Sequence, residues 1–228
     1  MKSGVAAARK GAGRKLVPAV RPPAANYEAL GPRLRAERER RGMTLREMAR
    51  RAGVSPSLIS QIERGLVAPS VGTLYTMTAV LGLVMDELFR EPKQAGKPSE
   101  QPSGASPRHG HVQRSGNRKR IRLAGGVEWE RLTAGPDDEV EFLYVTYEAG
   151  AESCPGNSLF RHGGKEYAYI LEGRLGVQIG FEQYEMGPGD SVSFNSQLPH
   201  RLWAIGDEPA VAIWAVVNRS EDHRNGSA

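Results

Sequence analysis

Apolar residues along this chain follow two different periods. Over residues 27–89 they recur three to four apart in short blocks punctuated by glycine, the spacing of amphipathic helices. From Ile121 onward they alternate every second residue, the spacing of half-buried strands. In the first region, residues 28–40 carry Leu30 and Leu34 one turn apart and end at Gly42. Thr44 with Glu47 three residues on has the form of a capping box, opening a segment that turns Leu45, Met48 and Ala49 inward and stops at Gly53. Ser55 caps a third segment with Pro56 at its first position, where a missing N–H costs nothing. Leu58, Ile59 and Ile62 form the expected buried face of that segment, and Gly65 ends it. A fourth helix is predicted from Ser70 or Val71 to Leu81, and a short fifth from Met85 to Phe89.

The second region reads as strands: VEWERL (127–132), EFLYVTYE (141–148), EYAYILEGRLGVQIG (166–180), DSVSF (190–194), HRLWAI (200–205) and AVAIWAVV (210–217). Turn formers separate them, and no helical stretch intervenes, which predicts an all-β sandwich or jelly roll. No internal repeat of 20–50 residues is present. The expected organisation is a basic arm (1–25) with too little apolar surface to offset ordering entropy, a helical domain (26–90), a Pro/Gly/Ser-rich flexible linker (91–120), a β domain (121–220) and a tail (221–228). The fold class is therefore multidomain, α followed by all-β.

Composition adds limits. No stretch approaches the ~18 apolar residues of a membrane span, and the basic N-terminus lacks the apolar run of a secretory signal. One cysteine, Cys154, excludes an internal disulfide and predicts a reducing, cytoplasmic setting. The net charge of +5 conceals an asymmetry. Residues 1–122 hold 24 basic and 9 acidic residues, a balance of +15, whereas residues 123–228 balance at −10. Residues 26–90 by themselves stand at +3. Such segregation suits a polyanion-facing half, although basic tails also solubilise. The cluster Arg118, Lys119, Arg120 and Arg122 is either a phosphate contact or a solvated charge run.

The stretch TLREMARRAGVSPSLISQIERG (44–65) has the sequence form of a helix-turn-helix. With the following PSVGTLYTMTAVLG, it closely resembles the phage-repressor-like (XRE) family over residues 27–89. The resemblance implies that residues 55–64 form a recognition helix for the DNA major groove. With Leu58, Ile59 and Ile62 turned to the core, Ser57, Ser60, Gln61 and Arg64 lie on the outer side. Ser57 and Gln61, one turn apart, suit base edges, and Gln pairs adenine bidentately. Arg46, Arg64 and the helix start at Ser55 suit phosphate. The alternative for these residues is a solvated polar face on a small bundle.

HGGKEYAYILEG (162–173), with the later PGD and PH, gives the pattern H-x3-E-x6-G and resembles the cupin superfamily over about residues 121–218. Metal-binding cupins present three histidines and a glutamate to the barrel interior. The resemblance assigns His162, Glu166 and His200 to three of those positions, while Phe160 stands at the first histidine position and Ala204 where an asparagine often follows. Two histidines and one carboxylate suffice for a facial triad on a divalent metal such as Fe, Mn, Zn or Ni. The same set could instead bind a polar or cationic metabolite, or be a hydrogen-bonded relic. Strand parity adds Phe160 and Leu202 to the pocket lining. His109 and His111 copy a His-x-His spacing but sit in the linker, and His223 in the tail; Cys154, Tyr144, Tyr147, Trp203 and Trp214 are expected as packing residues.

Together the two halves resemble XRE–cupin transcriptional regulators. That resemblance implies double-stranded DNA with a pseudo-palindromic operator, a small-molecule effector, a homodimer and no catalytic residue. The same domain order also resembles hydroxypropylphosphonate epoxidase, under which His162, Glu166 and His200 would hold iron and the helical domain would be vestigial. A basic arm, an intact reading face and few basic residues near the pocket (Arg161, Lys165, Arg174, Arg201) favour the regulator. An inert dimerisation barrel is the third reading.

Overall fold

The computed structural model describes residues 27–83, 85–89 and 110–218; the arm, the tail, His109 and His223 lie outside the described residues. Four α-helices come first: α1 (Tyr27–Arg40), α2 (Leu45–Ala52), α3 (Pro56–Glu63) and α4 (Val71–Leu81), then a 3-10 turn at Met85–Phe89. The predicted caps do the punctuating. Thr44, Ser55 and Ser70 each accept a hydrogen bond from the backbone N–H three residues on, satisfying one orphan donor per helix start. Glu47 turns its carboxylate to Arg51. Gly53 ends α2 at φ 66°, a left-handed value that strains side-chain-bearing residues, and so sets the turn into α3.

Two features lock α3 against α1. Gly31 lets the helices approach so closely that a Cβ there would collide with the Ile62 carbonyl oxygen. Arg38 donates from Nε to Glu63 Oε1 (2.6 Å) and from Nη2 to Oε2 (2.8 Å), and its Nη1 reaches the Met43 carbonyl at 2.8 Å. Both charged side chains are buried, so Glu63 joins Ile59 and Ile62 on the buried face of α3, while Leu58, expected there, is half-buried.

The β domain has nine strands in two antiparallel sheets: β1 (Arg120–Leu123), β2 (Val127–Arg131), β3 (Val140–Tyr147), β4 (Lys165–Glu172), β5 (Leu175–Ile179), β6 (Glu182–Met186), β7 (Ser191–Asn195), β8 (His200–Ala204) and β9 (Ala210–Val217). The six-stranded sheet runs β1-β2-β3-β9-β4-β7, and the other runs β6-β5-β8. The inner face of the larger sheet is built by alternation along β3 and β4. Glu166, Ala168 and Ile170 of β4 and Leu143, Val145 and Tyr147 of β3 are buried, while Tyr167 and Tyr169 are exposed. The basic cluster near β1 is neither free for phosphate nor merely solvated. Arg118 and Arg120 pair with Glu130, and Arg120 and Arg122 pair with Glu128 across the β1–β2 ladder.

The helical and β halves share one continuous apolar core. Their junction is α4, whose residues Val71, Gly72, Leu74, Tyr75, Met77, Thr78 and Leu81 are all buried. A helix apolar around most of its circumference needs partners on more than one side. One side packs on α1 and α2, and the N-terminal turns press on the barrel. The Gly72 N–H, an orphan of the helix start, donates to the Ser153 carbonyl at 3.2 Å, and the Ala124 N–H donates to Pro69 at 2.9 Å.

Candidate functional site

The barrel interior brings His162, Glu166 and His200 together. Glu166 reaches inward from β4 and His200 from the start of β8. His162 precedes β4 in an extended segment held by its N–H to Ser196 (3.0 Å) and by the reciprocal Phe160–His200 backbone bonds. His162 Nε2 lies 3.0 Å and His200 Nε2 3.2 Å from Glu166 Oε1, and all three side chains are buried. Despite this closeness, none of the three atoms makes a hydrogen bond of acceptable angle.

The reason is visible on the far side of each ring. His162 Nδ1 lies 2.9 Å from the Gly163 carbonyl and His200 Nδ1 2.8 Å from that of Leu198. A carbonyl only accepts, so each Nδ1 carries the proton, and in the neutral imidazole each Nε2 turns a bare lone pair toward the carboxylate. Three acceptors converging in a buried space repel one another unless a cation stands among them. Backbone-oriented imidazoles of this kind are the usual outer support of metal ligands. The carboxylate's second oxygen accepts from Trp214 Nε1 at 2.8 Å. The donor set and geometry therefore allow a divalent metal.

Around this cluster the walls are aromatic. Phe160, at the place of a further histidine, stands edge-on to His200 with centroids 4.3 Å apart. Val71, Tyr75, Trp129, Leu143, Val145, Tyr147, Leu202 and Trp214 complete the lining with Phe160 and Glu166. The remaining cavity is only about 20 Å³, roughly the room for one water. Burial, with the negative Glu166 nearby, drives the Tyr147 phenol upward, so it stays neutral. Cys154 is buried, its thiol also pushed up by burial, and it donates to the Ser158 carbonyl. The basic residues nearest in sequence do not line the cavity. Arg161 and Lys165 are exposed, Arg174 pairs with Glu185, and Arg201 stacks on Trp203.

Of the residues singled out in the sequence, His162, Glu166 and His200 converge and Phe160, Glu166 and Leu202 line the cavity, whereas Tyr75 and Val71, which come from the helical half, and the lining by Trp129 and Trp214 carry no such expectation in the sequence. Tyr75 is the most intrusive. Its ring stacks on His162 (centroids 3.9 Å apart, planes 10° apart), lies 5.7 Å from Trp129, and its hydroxyl donates to Glu141 Oε2 at 3.0 Å.

On the helical half, Arg46, Ser55, Ser57 and Arg64 are exposed, and Ser60 and Gln61 are half-buried. Ser55 is engaged as the α3 cap, so its hydroxyl is committed to the Leu58 N–H (3.1 Å). Arg64 follows α3 and bonds back to the Ser60 carbonyl through Nε.

The helix-turn-helix family model matches residues 34–88, and the cupin domain model matches residues 143–216. The chain thus joins an XRE-type helix-turn-helix domain to a cupin domain. Among known proteins it is similar to HTH-type transcriptional regulator PuuR of Escherichia coli (strain K12), with 28% identity over 175 residues, covering 75% of this chain and 85% of PuuR. Over 67 residues it is 40% identical to the uncharacterized HTH-type transcriptional regulator y4dL of Sinorhizobium fredii, covering 29% of this chain and 33% of that protein. An HTH_3 family transcriptional regulator structure from Vibrio cholerae shares the fold at a TM-score of 0.57 and 22% identity, covering 84% of this chain and 96% of that one. Hydroxypropylphosphonic acid epoxidase from S. wedmorenis aligns at a TM-score of only 0.40 with 20% identity, over 82% of this chain and 96% of the enzyme, and that likeness decides nothing about activity.

Proposed function

We propose that this chain is a cytoplasmic, homodimeric transcriptional regulator that reads a pseudo-palindromic DNA site through α3 and senses a small molecule in its cupin barrel. The observation that carries this reading is the joining of an outward-facing α3 to a barrel whose buried centre gathers three acceptors. The regulators to which the chain is similar over most of its length support it, and favour a regulator over an enzyme. Ser57 and Gln61 contact base edges, Ser60 lies on the same outer side, and Arg46, Arg64 and the backbone N–H groups at the α3 start by Ser55 hold phosphates. A dimer sets two α3 helices about 34 Å apart, one turn of DNA.

His162, Glu166 and His200 hold a divalent metal in this reading, and the metal supplies open coordination positions for an effector's donor atoms. Selection of duplexes from a randomised pool, followed by titration at several salt concentrations, tests the DNA reading. Arg64→Ala is expected to weaken binding across sequences and flatten the salt slope by about one. Gln61→Ala is expected to relax the preference at one base position. Absence of salt-dependent duplex binding by the full chain would refute it. Cobalt(II) titration tests the centre. A d–d spectrum lost in His162→Ala and His200→Ala supports it, and no spectrum in the full chain removes the metal.

A further inference from the structure

The pocket as it stands has almost no room. Ligand pockets occupy roughly 300–1,000 Å³, and the cavity beside Glu166 measures about 20 Å³. Much of what fills the mouth comes from α4 of the DNA-binding domain: Val71 and Tyr75 line the cavity, and Gly72 lies against Phe160. A Cβ on Gly72 would meet Phe160 Cβ at 3.0 Å, so the helix is seated as deeply as its backbone permits. Tyr75 stacks flat on His162, one of the three converging residues, and anchors its hydroxyl on Glu141 of β3.

Building on the reading of the barrel as a ligand pocket, we propose that the phenol ring of Tyr75 is a built-in occupant of that pocket. Ring and effector compete for the same space, so that filling the pocket undocks α4 from the barrel. Tyr75 is covalently part of α4, and α4 packs on α1 and α2 of the DNA-reading unit. Withdrawal of the ring breaks the stack on His162 and the bond to Glu141. It also loosens the two backbone bonds that cross the junction, from the Gly72 N–H to the Ser153 carbonyl and from the Ala124 N–H to the Pro69 carbonyl. A ligand that binds only the undocked state shifts the population by its differential affinity, which is the energetic requirement for a switch. The occupant it displaces is a neutral aromatic ring lying on an imidazole. The favoured ligand is therefore a small molecule with a flat or apolar body, seated between Trp129, Phe160 and Trp214 beside the His/Glu/His cluster.

The experiment uses the full chain and two readouts: amide exchange at Gly72 and Ala124, and thermal shift with p-cresol, the excised Tyr75 side chain. In Tyr75→Ala, exchange at both amides is expected to accelerate about a hundredfold, the size of a lost buried aromatic. p-Cresol is expected to raise the melting temperature of this variant and not of the wild type, while leaving Gly72 exchange fast. The pocket would then be filled without pulling the helix back. Tyr75→Phe, which keeps the packing and removes the 3.0 Å bond, is expected to speed exchange about tenfold; it serves as the readout if Tyr75→Ala does not fold. Unchanged exchange in these variants, or p-cresol stabilising wild type and Tyr75→Ala alike, overturns the proposal. Duplex binding by the wild-type chain is scored separately: its absence refutes the regulator reading, whereas failure of the exchange result with duplex binding intact refutes only the plug.

Discussion

The Arg38–Glu63 pair offers the sharpest test of how the reading helix is held. The two side chains retain 9% and 3% of their exposure and meet through two parallel hydrogen bonds of 2.6 and 2.8 Å. Glu63→Leu would leave a guanidinium in that site with the Met43 carbonyl and a 3.5 Å approach to the exposed Glu39 as its remaining polar contacts among the described residues. An uncompensated buried charge costs about 3–5 kcal/mol. Arg38→Leu strands the carboxylate and is expected to cost a similar amount. The double variant removes both charges and is expected to recover most of the loss, because replacing a buried pair by apolar groups is often near neutral. Urea titration followed by far-UV circular dichroism on the four proteins closes the cycle. Strong non-additivity, about 2 kcal/mol or more, is the expected result. Single losses below about 1 kcal/mol that simply add would mean the pair is solvated, and the account of α1 clamping α3 would fail.

Three further outcomes follow from the same reasoning. Gly31→Ala places a methyl on the Ile62 carbonyl, so it should push α3 away from α1, cost about 1–3 kcal/mol by overpacking and lower duplex affinity, as titration would show. The Glu37 carboxyl is lowered to about 2, first by its hydrogen bond to Arg40, against some burial, and then by Arg41. Its folded value lies below its unfolded one, so its stabilising contribution is full above about pH 4.5 and disappears as pH falls toward 2. Glu37→Gln should therefore be less stable than wild type at neutral pH, with the gap closing in acid melts. Trp214→Phe removes the 2.8 Å donor to Glu166 and is expected to weaken cobalt binding about tenfold, read from the d–d titration.

The helical half was legible almost residue by residue because its signals are local. Thr44, Ser55 and Ser70 cap, Gly53 and Gly65 turn, and none of these needs a distant partner. Two strands were missed for different reasons. β1 alternates cleanly but is only four residues long and adjoins the basic run that closes the predicted linker, and β6 is an edge strand exposed at every position but Met186. In the pocket, His162 and Glu166 stand four apart in the sequence, and the cupin resemblance assigns His200 beside them. Tyr75 carries no such signal, because its meaning depends on Glu141 and His162, far away in the chain. A usable hint was present in VGTLYTMTAVL, a helix with hardly a polar face, which cannot be satisfied by one neighbour.

That same helix bears on how this protein can be taken apart. Cut at the end of the 3-10 turn, the DNA reader would carry Val71, Gly72 and Tyr75 into water as a bare patch, and the barrel would be left with an open aromatic mouth. Neither piece is a finished domain by itself. A chimera that places this reader on another sensor will be soluble and responsive only if the new partner offers a socket for a phenol ring.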